Sequence, residues 1–128
     1  MSDAVRVLVV DDEEDFRNNL VKLLGISPNI TATAAGSGEA ALEWLAANPC
    51  DVVLLDVKMP GLAAHGTLKR IREASYPVEV IILTGHASVD DAVALMNLGV
   101  FDYLLKPCCT REIVKKITWA HESHTGEK

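Results

Sequence analysis

Five short apolar segments alternate along the chain with longer segments whose apolar residues recur at helical spacing. The apolar segments cover residues 5–10, 30–34, 52–55, 78–83 and 103–105. They are rich in Val, Ile and Leu and lack polar alternation, a pattern typical of strands buried on both faces of a parallel sheet. Repeated alternation of strand and helix predicts an α/β domain in which helices cover both faces of that sheet.

Each predicted helix carries apolar residues spaced by three and four positions, which places them on one face. Those residues are Phe16, Leu20, Leu23 and Leu24; Ala41, Trp44 and Leu45; Leu68 and Ile71; Val89, Ala92, Val93 and Met96; and Ile113, Val114 and Ile117. We expect these side chains, together with Trp119, to pack in the core. Gly25 and Gly99 follow two of these segments, where a helix end with positive φ favours glycine.

Length and charge narrow the class of protein. A chain of 128 residues is the usual size of one domain, and we expect a single domain over 1–128, with a core at about 4–120 and a polar tail at 122–128.

The formal net charge of −6 disfavours direct binding to nucleic acid. No apolar run approaches the roughly 18 residues of a membrane span. Three cysteines cannot all pair, and the first residues lack a secretory pattern, so we expect a cytoplasmic protein.

Polar residues that could carry chemistry follow four of the five predicted strands. Asp11 and Asp12 come after the first strand, Asp56 after the third, Thr84 after the fourth and Lys106 after the fifth. The carboxyl ends of parallel strands share one edge of the sheet, so we expect these side chains to converge. Three close carboxylates favour a hard cation such as Mg²⁺. One of them could serve as a nucleophile for phosphoryl transfer, with the lysine neutralising charge.

The order of these motifs resembles the receiver domain of two-component response regulators, including its chemotaxis members. The matching motifs are Asp11-Asp12, Asp56-Val57-Lys58-Met59-Pro60-Gly61, Thr84-Gly85 and Tyr103-Leu104-Leu105-Lys106-Pro107. The resemblance covers roughly residues 4–120. It implies a flavodoxin-like (βα)5 fold, a doubly wound parallel sheet of five strands in the order 2-1-3-4-5.

The resemblance also implies the roles of the site residues. Asp56 would accept a phosphoryl group from a histidine kinase or a histidine phosphotransfer protein. Asp12, Asp56 and the backbone carbonyl of Lys58 would bind Mg²⁺ or Mn²⁺, with Asp11 acting through water. Lys106 would contact the phosphoryl group. Such a protein is a phosphoacceptor switch that catalyses only its own phosphorylation and dephosphorylation.

Thr84 and Tyr103 match the switch pair of the same family. On phosphorylation, Thr84 would contact the phosphoryl group and Tyr103 would turn inward. This motion would reshape the face formed by the fourth and fifth predicted helices and the fifth strand. The protein would signal to a downstream target through that face. The resemblance implies a downstream target of unspecified identity, and either a monomer or a phosphorylation-dependent dimer.

Three other classes of protein fit parts of the sequence. The segment from Gly36 to Ala41 matches the G-x-G-x-x-A pattern of a nucleotide-binding turn, and Asp56 lies near the spacing of a ribose-binding acid. That interpretation leaves Asp11, Asp12 and Lys106 without a role. A phosphatase of the haloacid dehalogenase type needs a second acid two residues after the nucleophile, where this chain has a lysine. A degenerate receiver acting only as a binding module would not need the complete set of acidic and basic residues.

Overall fold

The structure is a computed structural model that describes residues 4–56, 62–84, 97, 99–105 and 109–125. The strands are β1 (Val5–Val10), β2 (Ile30–Ala35), β3 (Val52–Asp56), β4 (Glu79–Thr84) and β5 (Asp102–Leu105). The helices are α1 (Glu14–Leu24), α2 (Gly38–Ala47), α3 (Leu62–Glu73) and α4 (Thr110–Thr125). The helix predicted around residues 89–96 lies outside the described residues.

The five strands form one parallel sheet in the order β2-β1-β3-β4-β5, which confirms the predicted topology. The order reverses between β1 and β3, and these two central strands are neighbours. Their register pairs Val10 with Leu55 at the carboxyl ends. The residues that follow this pair, Asp11 and Asp56, are therefore brought to the same edge of the sheet.

Two hydrophobic cores cover the two faces of the sheet. Alternate strand residues point to opposite faces, so each strand contributes to both cores. The core under α2 and α3 contains Leu8, Val10, Val53, Leu55, Val80, Ile82, Ala41, Leu45, Leu68 and Ile71. The core under α1 and α4 contains Val7, Val9, Leu54, Ile81, Leu83, Leu20, Leu24, Ile113 and Ile117. Most of the predicted apolar helix positions that the structure describes are thus confirmed as core residues.

Two predicted core residues are instead exposed. Leu23 is 45% exposed and Trp119 is 47% exposed. Leu23 lies three positions after the buried Leu20 but at the edge of the buried stripe of α1, and Trp119 falls outside the three- and four-residue spacing of the buried residues of α4. The ammonium groups of Lys115 and Lys116 lie 5.4 and 5.3 Å from the centre of the Trp119 ring. The ring is therefore solvated on a basic surface of α4.

The ends of the helices differ in part from expectation. Gly99 has φ 85, as predicted. Gly25 has φ −67, so the prediction of positive φ there was wrong. The chain instead continues through turns, in which the Gly25 amide donates to the Val21 carbonyl at 3.0 Å and the Ile26 amide donates to the Leu23 carbonyl at 3.2 Å. Helix α1 therefore ends in right-handed turns with hydrogen bonds between residues three apart, and not in a left-handed residue.

The left-handed residue that ends a helix is a serine after α3. Ser75 has φ 59, the only described residue other than glycine with positive φ. The Tyr76 amide donates to the Ile71 carbonyl at 3.3 Å, and the Ser75 amide donates to the Arg72 carbonyl at 3.1 Å. These two bonds form a Schellman motif, in which glycine is the usual residue at the position of Ser75.

Helix α2 begins at a serine and two glycines that the sequence placed in a possible nucleotide-binding turn. The Ser37 side chain accepts a hydrogen bond from the Ala40 amide at 3.0 Å and caps the helix. A Cβ atom on Gly38 would overlap the Thr67 Oγ1 atom and lie 3.2 Å from its Cβ atom. Gly38 thus allows α2 to approach α3, and its absence of a side chain is explained by packing.

An ion pair holds β1 and β3 at the opposite, amino end of the sheet. Arg6 donates from Nε to Asp51 Oδ2 at 3.1 Å, and its backbone amide donates to the same oxygen at 2.8 Å. Burial alone would raise the pKa of Asp51, but the hydrogen bonds and charge of Arg6 outweigh it and lower that pKa below 3.8. Burial also raises the pKa of the neighbouring Cys50 thiol to about 11, so Cys50 stays protonated and serves in packing.

Candidate metal and phosphoacceptor site

Three carboxylates meet at the carboxyl ends of β1 and β3. Asp11 and Asp12 directly follow β1, and Asp56 is the last residue of β3. Each offers one carboxylate oxygen, and these oxygens lie within 4.8 Å of one another. We call this set, Asp11, Asp12 and Asp56, the acidic cluster. The sheet register therefore brings together the three acids that the sequence predicted would converge.

The members of the acidic cluster differ in how firmly they are held. Asp11 is 3% exposed. Its amide donates to the Ala35 carbonyl at 3.1 Å, and its Oδ1 atom accepts a hydrogen bond from the Glu13 amide at 2.8 Å. This bond to the second residue onward is an Asx-turn, and it satisfies the amide of Glu13 at the start of α1. Asp12 is exposed and Asp56 is half-buried, so both can be reached from solvent.

The oxygen spacing is compatible with a magnesium ion that retains water. Two oxygens bound directly to one Mg²⁺ are at most about 4.2 Å apart, twice a metal–oxygen distance of about 2.1 Å. A spread of up to 4.8 Å fits two carboxylates bound directly and a third acting through a water molecule. Carboxylate oxygens are also the ligands that Mg²⁺ prefers. The donor set of the acidic cluster therefore fits this ion.

The remaining predicted site residues are only partly described. Lys58 and Lys106 lie outside the described residues. Thr84 is the last residue of β4, and its register partner on β5 is Leu105, which places its backbone at the same edge as the acidic cluster. Tyr103 lies on β5 and is 40% exposed. It pairs in register with Ile82, two residues before Thr84.

An arginine beside the acidic cluster was not predicted from the sequence. The Arg17 Nη1 atom donates to the backbone carbonyl of Asp11 at 3.3 Å. A Cβ atom on Gly36 would lie 3.3 Å from the Arg17 Cζ atom, so the guanidinium group fills the space beside that glycine. The signal in the sequence was its spacing: Arg17 precedes the buried Leu20 and Leu24 by three and seven positions, which places it on the inward face of α1.

Comparison with known proteins decides the family. The model of the response regulator receiver domain matches residues 7–118, which is most of the chain. The chain belongs to the response regulator receiver domain family. Receiver domains are signalling switches of two-component systems rather than conventional enzymes, and this one has the five-stranded fold of the family.

This receiver domain resembles parts of larger curated proteins. It is 40% identical over 101 residues to the DNA-binding transcriptional regulator NtrC of Escherichia coli (strain K12), covering 79% of this chain and 21% of that protein. It is 37% identical over 111 residues to the sensory transduction protein RegX3 of Mycolicibacterium smegmatis, covering 87% and 48%. The chain thus spans between a fifth and a half of the curated relatives it matches.

A solved structure agrees over nearly its whole length. The response regulator receiver domain protein from Clostridium thermocellum superposes with a TM-score of 0.84 and 33% identity, covering 94% of this receiver domain and 97% of that chain.

Within the part of the chain that the structure describes, no helix has the length and apolar character needed to span a bilayer.

Proposed function

We propose that this receiver domain accepts a phosphoryl group on Asp56 from the phosphohistidine of a histidine kinase or a histidine phosphotransfer protein. The acidic cluster is the observation that carries the proposal. Asp56 is half-buried at the centre of the sheet edge, with two further carboxylates beside it. Three nearby negative charges repel one another, which is unfavourable for folding. A bound cation would offset this repulsion, so the clustering favours a site that binds a cation and reacts at Asp56.

The transfer itself requires one bond to form and one to break. An oxygen of the Asp56 carboxylate attacks phosphorus and forms the new O–P bond. The N–P bond of the donor breaks, its electron pair stays on the imidazole nitrogen, and that nitrogen takes up a proton. Later, water attacks phosphorus, the O–P bond to Asp56 breaks, and inorganic phosphate leaves with the carboxylate regenerated. Positioning and charge neutralisation are the main requirements of such a transfer.

In our proposal, a divalent cation neutralises part of the negative charge of the acidic cluster. Asp12, Asp56 and the carbonyl of Lys58 would hold Mg²⁺ or Mn²⁺ directly, and Asp11 would hold it through water. When bound, the ion offsets the negative charge of the carboxylates and of the incoming phosphoryl group. Lys106 would supply a further positive charge to the phosphoryl oxygens. The fit of the carboxylate spacing to this ion supports the proposal.

A change on β5 would carry the signal to a partner. We place Thr84 in contact with the phosphoryl group, with Tyr103 turning inward as Thr84 moves. Tyr103 is 40% exposed in this structure, which supports an outward starting position for this change. The phosphoryl group then biases two arrangements of the face formed by β5, α4 and the helix predicted around residues 89–96. The partner is a downstream target or, in a phosphorylation-dependent dimer, a second copy.

The remaining parts of the proposal concern the unit and its location. Residues 4–120 would fold and act as one receiver unit, followed by a polar tail. The cysteines that the structure describes, Cys50 and Cys109, are free thiols, which supports a reducing location such as the cytoplasm. We propose no direct contact with nucleic acid, on the ground of the net charge of −6 of the whole chain, and none with membrane, because the sequence has no apolar run of the length of a membrane span.

Intact-mass measurement after incubation with a small phosphodonor tests the phosphoacceptor. We expect one added phosphoryl group on the wild type in the presence of Mg²⁺ and none on Asp56→Asn. Asp15→Asn is the matched control, because it removes an exposed carboxylate from the first turn of α1 and leaves the acidic cluster intact. Equal labelling of Asp56→Asn and the wild type would remove Asp56 from this role.

A further inference from the structure

We propose that Arg17 is a positioning residue that sets the geometry of the acidic cluster through the backbone of Asp11. The metal-binding purpose of the cluster is that of the proposed function, and this inference rests on it. The position of Arg17 follows from contacts on the described residues, namely the carbonyl of Asp11 and the glycine at the end of β2.

The guanidinium group of Arg17 lies between the carboxyl ends of β1 and β2. Its Nη1 atom donates to the Asp11 carbonyl at 3.3 Å. A Cβ atom on Gly36 would lie 3.3 Å from both Cζ and Nη1 and 3.4 Å from Nη2. Because these three atoms of one planar group lie at nearly equal distances, the flat face of the guanidinium group is turned toward Gly36. A Cβ atom there would require the guanidinium group to shift by a few tenths of an ångström.

The bonded carbonyl is mechanically coupled to the next acid of the cluster. A peptide unit is planar, so the carbonyl of Asp11 and the amide and Cα atom of Asp12 turn together. The Asp11 amide is held by Ala35 and its side chain by the Glu13 amide. The bond from Arg17 to the Asp11 carbonyl acts directly on this peptide plane. It therefore restrains the direction in which the exposed Asp12 leaves β1.

Geometry and charge predict opposite effects of removing Arg17. A cation near three carboxylates weakens the binding of a second cation by repulsion, so loss of its charge alone would tighten Mg²⁺ binding. Loss of positioning would weaken Mg²⁺ binding, because groups that orient metal ligands typically contribute about tenfold or more to affinity. The sign of the change in the Mg²⁺ dissociation constant therefore separates the two roles.

Three variants and one control test the proposal by calorimetric titration with Mg²⁺. Arg17→Met should raise the Mg²⁺ dissociation constant by roughly tenfold. Arg17→Lys should raise it nearly as much, because lysine keeps the charge but lacks the planar group that fits beside Gly36. Gly36→Ala keeps the arginine and displaces it, so it should give a smaller rise in the same direction. Lys22→Met removes an exposed cation from the last turn of α1 and should leave the constant unchanged.

A second measurement does not depend on metal. In metal-free protein, the amide resonance of Glu13 reports its hydrogen bond to Asp11, and we expect it to shift in Arg17→Met and Gly36→Ala but not in Lys22→Met. An unchanged Mg²⁺ dissociation constant with only a lower melting temperature would show a purely structural role and overturn the proposal. Tighter binding in Arg17→Met, with wild-type binding in Arg17→Lys, would overturn it in favour of charge.

The result also separates this inference from the proposed function. If the wild type binds Mg²⁺ and is labelled at Asp56 while the Arg17 variants match it, the role of Arg17 is wrong and the proposed function stands. If the wild type neither binds Mg²⁺ nor is labelled, both are wrong.

Discussion

The acidic cluster places three negative charges so close together that their repulsion should lower the folding stability of the metal-free protein. Two unit charges 4.8 Å apart repel by about 0.9 kcal/mol at the dielectric constant of water and by about 3.5 kcal/mol at an effective value of 20. Asp12 is exposed, so the lower figure applies to its two pairs. After screening by salt, we expect Asp12→Asn to raise the free energy of unfolding by about 1 kcal/mol.

The same substitution should reduce the response to Mg²⁺. At ten times its dissociation constant, an ion that binds only the folded state stabilises it by about 1.4 kcal/mol. The wild type should show this gain, and Asp12→Asn should lose most of it because a proposed direct ligand is missing. The advantage of the variant in metal-free buffer should therefore disappear when Mg²⁺ is added.

Urea unfolding in the presence of a chelator and then of Mg²⁺ measures both effects. Asp15→Asn is the matched control, since it removes one carboxylate from the same region. It should lose a few tenths of a kcal/mol of helix-dipole stabilisation and keep the full Mg²⁺ response. The reasoning is refuted if Asp12→Asn is less stable than the wild type without metal and gains as much from Mg²⁺.

Three further predictions concern stability. Gly38→Ala should destabilise by about 1–3 kcal/mol because its methyl group would overlap α3, whereas Gly66→Ala, with open space around its Cβ position, should stabilise by about 0.5–1 kcal/mol; equal urea midpoints would contradict this. Ser75→Gly should stabilise by about 0.5–1 kcal/mol, because it relieves the positive φ of a non-glycine residue; a lower urea midpoint would contradict it. Since the pKa of Asp51 is lower in the folded than in the unfolded protein, its stabilisation is present above about pH 4 and is lost as the pH falls further. The stability difference between wild type and Asp51→Asn should therefore shrink between pH 7 and pH 3, and a constant difference would contradict the ion pair with Arg6.

The strands were predictable because burial on both faces leaves a continuous apolar signal. The predicted strand at residues 52–55 is lengthened by one residue to include Asp56, and β1 is predicted at its observed bounds. β4 begins and ends one residue later than predicted. Its last residue is Thr84, whose polar side chain interrupts the apolar pattern while its backbone continues the ladder. β3 and β4 end in polar residues at the functional edge, so hydrophobicity alone places these two ends one residue short.

The convergence of the acidic cluster was also predictable, because it depends only on strand direction and order. The contacts that support the cluster were not. Gly36, Ser37 and Gly38 matched a nucleotide-binding pattern, yet they accommodate Arg17, cap α2 and accommodate Thr67, respectively. The reasons for the two glycines depend on residues distant in the sequence, Arg17 and Thr67, whereas the Ser37 cap is local. A local pattern of glycines cannot distinguish close packing from contact with a phosphate.

Helix ends were the least predictable feature of the fold. A glycine after a helix favours positive φ, but Gly25 continues through right-handed turns, whereas Ser75 adopts the left-handed conformation. The hydrogen bonds of the Schellman motif and the burial beside Tyr76 hold Ser75 in that conformation. At Ser75 the packing of the next residue therefore overrode the intrinsic preference, and at Gly25 the local turn hydrogen bonds hold the right-handed conformation.

A crystal structure with Mg²⁺ and the phosphoryl mimic beryllofluoride tests the central claim most directly. We predict that the mimic bonds to a carboxylate oxygen of Asp56, and that the ion contacts Asp12 and Asp56 at about 2.1 Å. Lys106 and Thr84 should contact the fluorine atoms. A mimic bound elsewhere, or an ion that contacts none of the acidic cluster, would contradict the account.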